Sequence, residues 1–221
     1  MQEASLPRIV LASQSPRRRE LAEAEGWQVE VVPPPESAEA EAAPRAASES
    51  LEAWVARLAK TKAEAVMASL TELSSAVVLA CDTIGVVDGE PLGKPRDRQD
   101  AAAMLTRLSG RLHRVLTGSC LWPIGCPPRI AVTESILEMA PLSEAFLEQY
   151  LDSGLWRGKA GACGFQDGVI PLKLLAGSSS NVVGIPLESI RRQLEEIRTG
   201  IAPDPRPAFD WFPATQQNER A

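Results

Sequence analysis

The chain has 221 residues, 44% hydrophobic and 24% charged, with a formal net charge of −6. This is the composition of a folded globular protein long enough to bury a core without disulfide or metal staples. Its acidic balance excludes a protein that wraps DNA or RNA, since phosphate backbones require a basic face.

Residue counts remove further classes. The single histidine, His113, excludes multi-histidine metal sites. Cys81, Cys120, Cys126 and Cys163 contain no Cys-x-x-Cys pair, which argues against structural zinc and against a disulfide framework. The longest apolar run, Ala76 to Cys81, falls far short of the roughly 20 residues of a membrane span. The first residues lack the apolar core of a signal peptide. The expectation is a reduced, cytoplasmic protein with neither a membrane nor a nucleic-acid polymer as partner.

In chain order, Ile9 to Ala12 reads as a short buried strand. In the Ser13-Gln14-Ser15-Pro16-Arg17-Arg18 segment that follows, Ser15 suits an N-cap and Pro16 the first helical position, so a helix is predicted there, ending at Gly26. Trp27 to Val32 alternates as a second strand, stopped by Pro33-Pro34-Pro35, and residues 36–49 read as a loop. A long helix is predicted from Ser50 to Ser69, with an apolar stripe of Leu51, Trp54, Val55, Leu58, Ala65 and Val66. Ala76–Cys81 and Ile84–Val87 read as two strands, followed by an Asp88-Gly89 turn. Asp97 caps a helix through Leu108 that Ser109-Gly110 ends. Strands follow near Leu112–Trp122 and Arg129–Met139, and Ser143 caps a helix to about Ser153. The Gly-rich residues 154–168 carry few periodic signals. Asn181-Val182-Val183-Gly184 reads as a turn, and Pro186 opens a last helix ending near Gly200. Strands alternate with helices, so the class is α/β: a mixed, twisted central sheet flanked by helices. Residues 1–200 form a single domain, open to division into two lobes around a cleft, and residues 201–221 form a Pro-rich, extended tail.

Several positions could carry chemistry. Ser13, Ser15, Arg17 and Arg18 surround a helix N-terminus, where free N–H groups and the macrodipole favour a phosphate; the bland alternative is a capped surface helix with solvated arginines. Lys62 shares a helical face with Leu51, Val55, Leu58 and Ala65, so it either snorkels out or meets an anion. Asp82 interrupts the apolar stretch Val77 to Val87 at a predicted strand end, and burying a lone carboxylate costs several kcal/mol unless it is paired or metal-bound. The alternative for Asp82 is a carboxylate capping a local turn. Gly93-Lys94-Pro95 holds a lysine on a restrained loop, and Lys159-Ala160-Gly161 precedes Gln166, whose amide can read a base edge. His113 reads as a structural, hydrogen-bonded histidine, and Cys81 as a small core residue rather than a nucleophile.

Taken together, these segments resemble the Maf family of nucleotide pyrophosphatases, in order and spacing, from Ile9 to Leu187. The resemblance rests on Leu11-Ala12-Ser13-Gln14-Ser15-Pro16-Arg17-Arg18, Ala80-Cys81-Asp82-Thr83 and Gly93-Lys94-Pro95-Arg96-Asp97. It continues through the segment from Met104 to Gly118, then Gly158-Lys159-Ala160-Gly161 with Gln166, and Asn181-Val182-Val183-Gly184-Ile185-Pro186-Leu187. It implies a Maf/inosine-triphosphatase-like fold and hydrolysis of nucleoside triphosphates to the monophosphate and pyrophosphate. It also implies a divalent metal, Mg²⁺ or Mn²⁺, and a homodimer. The family's catalytic acid corresponds to Asp82 and its active-site lysines to Lys62 and Lys94. In the branch acting on dTTP and UTP, specificity is associated with an Arg, a Thr and a Gln, which match Arg17, Thr83 and Gln166. Ser13, Ser15, Arg18 and Lys159 complete the implied substrate site.

Two departures from the family stand out. Ser37 and Ala38 occupy the place of its usual acidic pair, which leaves Glu36 or Glu39 to join Asp82 at a metal, and the segment before Lys62 is longer than usual. Cys81 stands where the family more often has alanine before the acid. One rival is a non-catalytic nucleotide-binding regulator of cell division and septation, which would not need Asp82 or a metal. A second is an unrelated α/β phosphohydrolase releasing orthophosphate; the absence of a Gly-x-x-x-x-Gly-Lys-Ser/Thr loop argues against a P-loop enzyme.

Overall fold

A computed structural model describes residues 7–35, 44–70, 76–203 and 208–211. In chain order the elements are β1 (Arg8–Leu11), α1 (Pro16–Ala24), β2 (Val29–Val31), α2 (Leu51–Ser69), β3 (Ala76–Val87) and β4 (Glu90–Leu92). They continue with α3 (Arg98–Leu108), β5 (Leu112–Pro123), β6 (Arg129–Met139), α4 (Glu144–Ser153) and a 3-10 turn, Ala160–Ala162. The last are β7 (Leu172–Ala176), α5 (Ser179–Val183), α6 (Leu187–Arg198) and β8 (Ala208–Trp211). The sheet order is β2-β1-β3-β5-β6-β7, with β4 added on β3 and β8 on β6. Its ladders are mixed, as expected: β1 runs parallel to β2 and β3, while β3–β4 and β6–β7 are antiparallel.

The chain divides into two compact units. One comprises Met1–Asp82, Thr117–Thr133 and Gly184–Asp210; the other Thr83–Leu116, Glu134–Val183 and Trp211–Ala221.

In the first unit, strand alternation sorts the core into two faces. Ile9 and Leu11 of β1 join Val77, Leu79 and Cys81 of β3 and Leu121 of β5, covered by Trp27 and by Ile190 and Leu194 of α6. Val10 and Ala12 join Ala76, Val78, Ala80 and Cys120 on the other face, covered by Ala59, Ala63 and Val66 of α2. The helix is capped as its sequence predicts, with Ser50 Oγ accepting from Ala53 N at 3.1 Å. Its buried face differs from the expected stripe. Ala56, Ala59 and Ala63 are buried beside Leu51, Val55 and Val66, whereas Trp54, Leu58 and Ala65 are only half-buried. Alanines are used because the helix lies unusually close to the sheet. A Cβ built at Gly118 of β5 would stand 2.6 Å from the Val55 carbonyl carbon and 2.9 Å from Ala56 N.

In the second unit, α3 and α4 pack Ala101, Leu105, Leu108, Tyr150 and Leu151 against Val87, Leu92 and Met139. Asp97 caps α3 through its Oδ1, which accepts from Asp100 N at 2.8 Å. Asp88 and Gly89, both with positive φ, make the tight turn that returns the chain as β4, a strand the sequence did not announce.

Other differences have local causes. The two strands predicted around Asp82 are one continuous strand, β3, so Asp82 lies within it rather than at its end. Asn181 does not sit in a turn but on α5, fully buried, donating from Nδ2 to Ser135 Oγ at 2.8 Å. Strand β7 has too few alternating polar positions to stand out, and part of the expected tail pairs with β6 as β8. His113 is buried as expected, but its Nδ1 has no hydrogen-bond partner among the described residues.

Two predictions follow from this packing. Gly118→Ala pushes a methyl into helix backbone, which cannot rotate away as a side chain could; a loss of about 1–3 kcal/mol or more is expected by urea unfolding, and an unchanged midpoint would refute the close approach. Burial also pushes the pKa of His113 down, outweighing the opposing effect of the Arg111 backbone. The fold therefore favours neutral imidazole. The stability this contributes is complete above the ordinary value of about 6.5 and is lost as pH falls through the lower folded value. His113→Gln should flatten that acid limb in urea titrations; an equally steep limb in the variant would show that other groups cause it.

Candidate active site

The geometry of Asp82 follows from parity. Ala76, Val78 and Ala80 point to the α2 face of β3, and Asp82 is the next residue in that series. On α2, Lys62 lies among Ala59, Ala63 and Val66, the residues that touch this face. The two meet: Lys62 Nζ donates to Asp82 Oδ1, with the side chains only 13% and 16% exposed. This resolves both choices left open by the sequence. Lys62 meets an anion instead of snorkelling out, and Asp82 is an ion-pair partner rather than a turn cap. Lys60, off the face, pairs at the surface with Glu64 at 3.2 Å.

The β1–α1 segment lies in the same unit. Ser13 is 5% exposed, and its Oγ accepts from Ser15 N at 3.1 Å. Ser15 caps α1, its Oγ accepting from Arg18 N at 3.5 Å. Arg18 is more than a solvated arginine: its Nε donates to Gly184 O at 2.7 Å and its Nη1 to Cys81 O at 2.9 Å. The guanidinium thus ties the start of α1 to the strand residue that precedes Asp82. Arg17 is half-buried, and its side chain makes no hydrogen bond or ion pair to the described residues.

The second unit carries the other candidates. Thr83 is half-buried in β3. Lys94 is exposed on a loop held at both neighbours: Pro95 is buried, and Gly93 O accepts from Gly161 N at 3.0 Å. The segment after Gly161 is conformationally demanding, since Ala162 has φ +60° and is fully buried, and Tyr150 Oη donates to Ala162 O at 3.2 Å. Lys159 is paired with Asp167, the side chains 11% and 23% exposed. Gln166 is exposed, and its amide makes no hydrogen bond to the described residues.

Sequence reading missed Asp167, Tyr150 and Gly118. A charge eight residues after Lys159 signals nothing across an irregular loop, and Tyr150 looks like any core aromatic of a helix. Cys81 behaves as the core residue expected: burial raises its thiol to about 11, well above what a nucleophile needs. Glu36 and Glu39, the proposed companions of Asp82 at a metal, lie outside the described residues. Among the described residues no cluster of three metal-ligating side chains forms.

The chain is similar to several known proteins. The profile of the family described as Maf-like protein matches residues 8–197. A dTTP/UTP pyrophosphatase of Rhodopirellula baltica is 41% identical over 204 residues, 91% of this chain and 87% of its own. One of the same name from Pyrococcus abyssi is 36% identical over 199 residues, 90% of this chain and 99% of its own. A solved structure of a HAM1 protein from Coxiella burnetii overlays 87% of this chain and 99% of its own at 15% identity, with a TM-score of 0.43.

Arg18→Lys keeps the charge but cannot span the two carbonyls. It should lower stability by about 1.5–3 kcal/mol, the range for a hydrogen bond to a charged group. A denaturation midpoint equal to the parent's would mean that the clamp contributes nothing.

Proposed function

Because the chain belongs to the Maf family, we propose that it is a nucleoside triphosphate pyrophosphatase that hydrolyses dTTP and UTP to the monophosphate and pyrophosphate. The observation that carries the reading is its likeness, over about nine-tenths of its length, to proteins of that name.

The reaction adds water across the anhydride between the α- and β-phosphates. The water oxygen bonds to the α-phosphorus, the bond to the bridging oxygen breaks, and pyrophosphate leaves with that oxygen. Asp82 is assigned to orient the water and take its proton, the usual work of a positioned carboxylate. Lys62, fixed against Asp82, holds the carboxylate in place and opposes charge that grows in the transition state. Ser13, Ser15 and the N-terminus of α1 offer a cradle for phosphate oxygens, with Arg17 available to the substrate and Arg18 acting as a positioning residue. By the family assignment Lys94 neutralises the leaving pyrophosphate, a part suited to a lysine on a restrained loop. Thr83, Lys159 and Gln166 are assigned to substrate recognition and specificity.

We infer that Mg²⁺ or Mn²⁺ assists. Asp82 supplies a hard oxygen donor, and Mg²⁺ in phosphate enzymes is held by one or two carboxylates plus the substrate's own oxygens, so the donor chemistry fits. Glu36 or Glu39 is the proposed second carboxylate. When bound, the ion supplies Lewis acidity at phosphate oxygens. Family membership supports a homodimer working in the cytoplasm, and no described helix is long and apolar enough to cross a membrane. The family match ends at residue 197, which supports residues 1–200 as the catalytic part and 201–221 as an appended segment.

The test is to incubate the protein with dTTP or UTP and either metal, measuring pyrophosphate and orthophosphate separately. Pyrophosphate alone is expected, with Asp82→Asn still folding but turning over about 10² times more slowly or worse. Near-full turnover by that variant would remove Asp82 from the mechanism, and orthophosphate as first product would point to a different phosphohydrolase.

A further inference from the structure

Lys94 lies on the loop between β4 and α3, whose two ends are held differently. After the lysine, Pro95 is buried and Arg96 N donates to Asp100 Oδ2 of α3 at 3.1 Å. Before it, Gly93 has no side chain to pack, and among the described residues none beyond its chain neighbours comes within 4 Å of a Cβ built there. What holds this end is a backbone bond, from Gly161 N to Gly93 O at 3.0 Å. The donor sits in a turn that its sequence only half favours. Gly161 and Ala162 both have positive φ, +65° and +60°, which glycine adopts freely and alanine does not. Tyr150 of α4, itself 2% exposed, supplies the restraint: its Oη donates to Ala162 O at 3.2 Å and accepts from the backbone of Gly164. One hydroxyl thus pins the chain on both sides of Cys163. Burial pushes the phenol above its ordinary value, so it stays protonated and able to donate through the neutral range.

We propose that Tyr150 is a positioning residue for the reaction: its hydroxyl holds Ala162 in the left-handed turn, the turn directs Gly161 N at Gly93 O, and that bond fixes the backbone from which Lys94 reaches the leaving pyrophosphate. This rests on the reading that the chain is a nucleoside triphosphate pyrophosphatase with Lys94 on the leaving side. The demand on Lys94 is one of place and not of orientation. An ammonium group is a compact charge with three equivalent donors on a flexible stem, so it opposes a growing negative charge without a fixed rotamer. Its Cα, however, has to stay within reach. A loop end free to drift keeps the lysine but spreads its charge over a larger volume, which lowers the effective concentration of that charge at the phosphate. Tyr150, enclosed between α3 and α4 with Leu105, Leu108 and Leu151, acts through the backbone and does not meet substrate itself.

The experiment is a double-mutant cycle on the full chain: Tyr150→Phe, Lys94→Ala and the two together, with pyrophosphate release from dTTP measured as kcat and KM. Tyr150→Phe keeps the buried ring and removes only the hydroxyl. Its kcat is expected to fall about tenfold, the scale of losing one hydrogen bond, with KM changing less, because charge on the leaving side grows as the bond breaks. In the Lys94→Ala background the same change should alter kcat less than twofold. Ala162→Gly beside Tyr150→Phe lets the backbone take the turn without the hydroxyl and should recover part of the lost turnover. Exchange of the Gly161 amide, followed by NMR, should be about tenfold faster in Tyr150→Phe than in the parent. An equal loss of kcat with and without Lys94 would show that the hydroxyl acts elsewhere and overturns the proposal, as does an unchanged kcat in Tyr150→Phe. Full turnover by Lys94→Ala removes the lysine from the mechanism, and the proposal falls with it. If the unaltered protein releases no pyrophosphate, the functional reading fails, while Gly161 exchange still judges the brace: an unchanged rate in Tyr150→Phe overturns that too.

Discussion

The site depends on how closely one helix lies on the sheet. Gly118 leaves no side chain between β5 and the backbone of α2 at Val55 and Ala56, and Ala59 and Ala63 continue the close contact along the helix. Further along the same helix, Lys62 reaches Asp82. A larger residue at Gly118 would meet the helix backbone and so disturb the ion pair that offsets the burial of Asp82. The cost of withdrawing Asp82 from water is offset by a cation held on a rigid helix rather than a mobile loop. Packing against the core and placement of the charged pair are therefore one constraint, set by small residues that carry no chemistry themselves.

The second unit solves a related problem with less regular material. Lys94 and Gln166 both lie on loops, where side chains are ordinarily free. Each is restrained through its neighbours: Pro95 is buried, Gly93 bonds to Gly161, and Asp167 bonds to Lys159. Ala162, in a left-handed conformation that alanine adopts reluctantly, persists because the Tyr150 hydroxyl holds its carbonyl inside the core. Exposed ends on anchored loops leave a residue's polar group accessible while its position stays fixed.

How far this was legible in the sequence varied with the kind of signal. Caps and turns were readable because they depend on local chemistry: Ser15, Ser50, Asp97 and Ser143 all cap the helices assigned to them. The face carrying Lys62 was readable from helical spacing, and the anomaly of Asp82 from the apolar residues around it. The break in β3 was read wrongly because a charge in a strand looks like an end unless its partner, twenty residues earlier, is known. Strand β7, helix α5 and the Lys159–Asp167 clasp were invisible for the same reason. Each is stabilised by partners distant in sequence or across an irregular loop, such as Asn181 on Ser135, and no period marks them.

Cys81 shows how the two faces of one strand separate structure from chemistry. Its side chain points away from α2, into the face lined by Leu79 and Leu121, where burial raises its thiol to about 11 and leaves it inert. Its carbonyl meanwhile accepts from Arg18, which also binds Gly184 and so fixes the strand beside Asp82. The side chain can therefore vary among small apolar groups without touching the charged pair, whereas the backbone at the same residue cannot move. A departure from the family's usual alanine falls on the face where only volume matters. The residues on the other face, Ala80 and Asp82, sit where α2 leaves room for little but a methyl group and a carboxylate with its lysine.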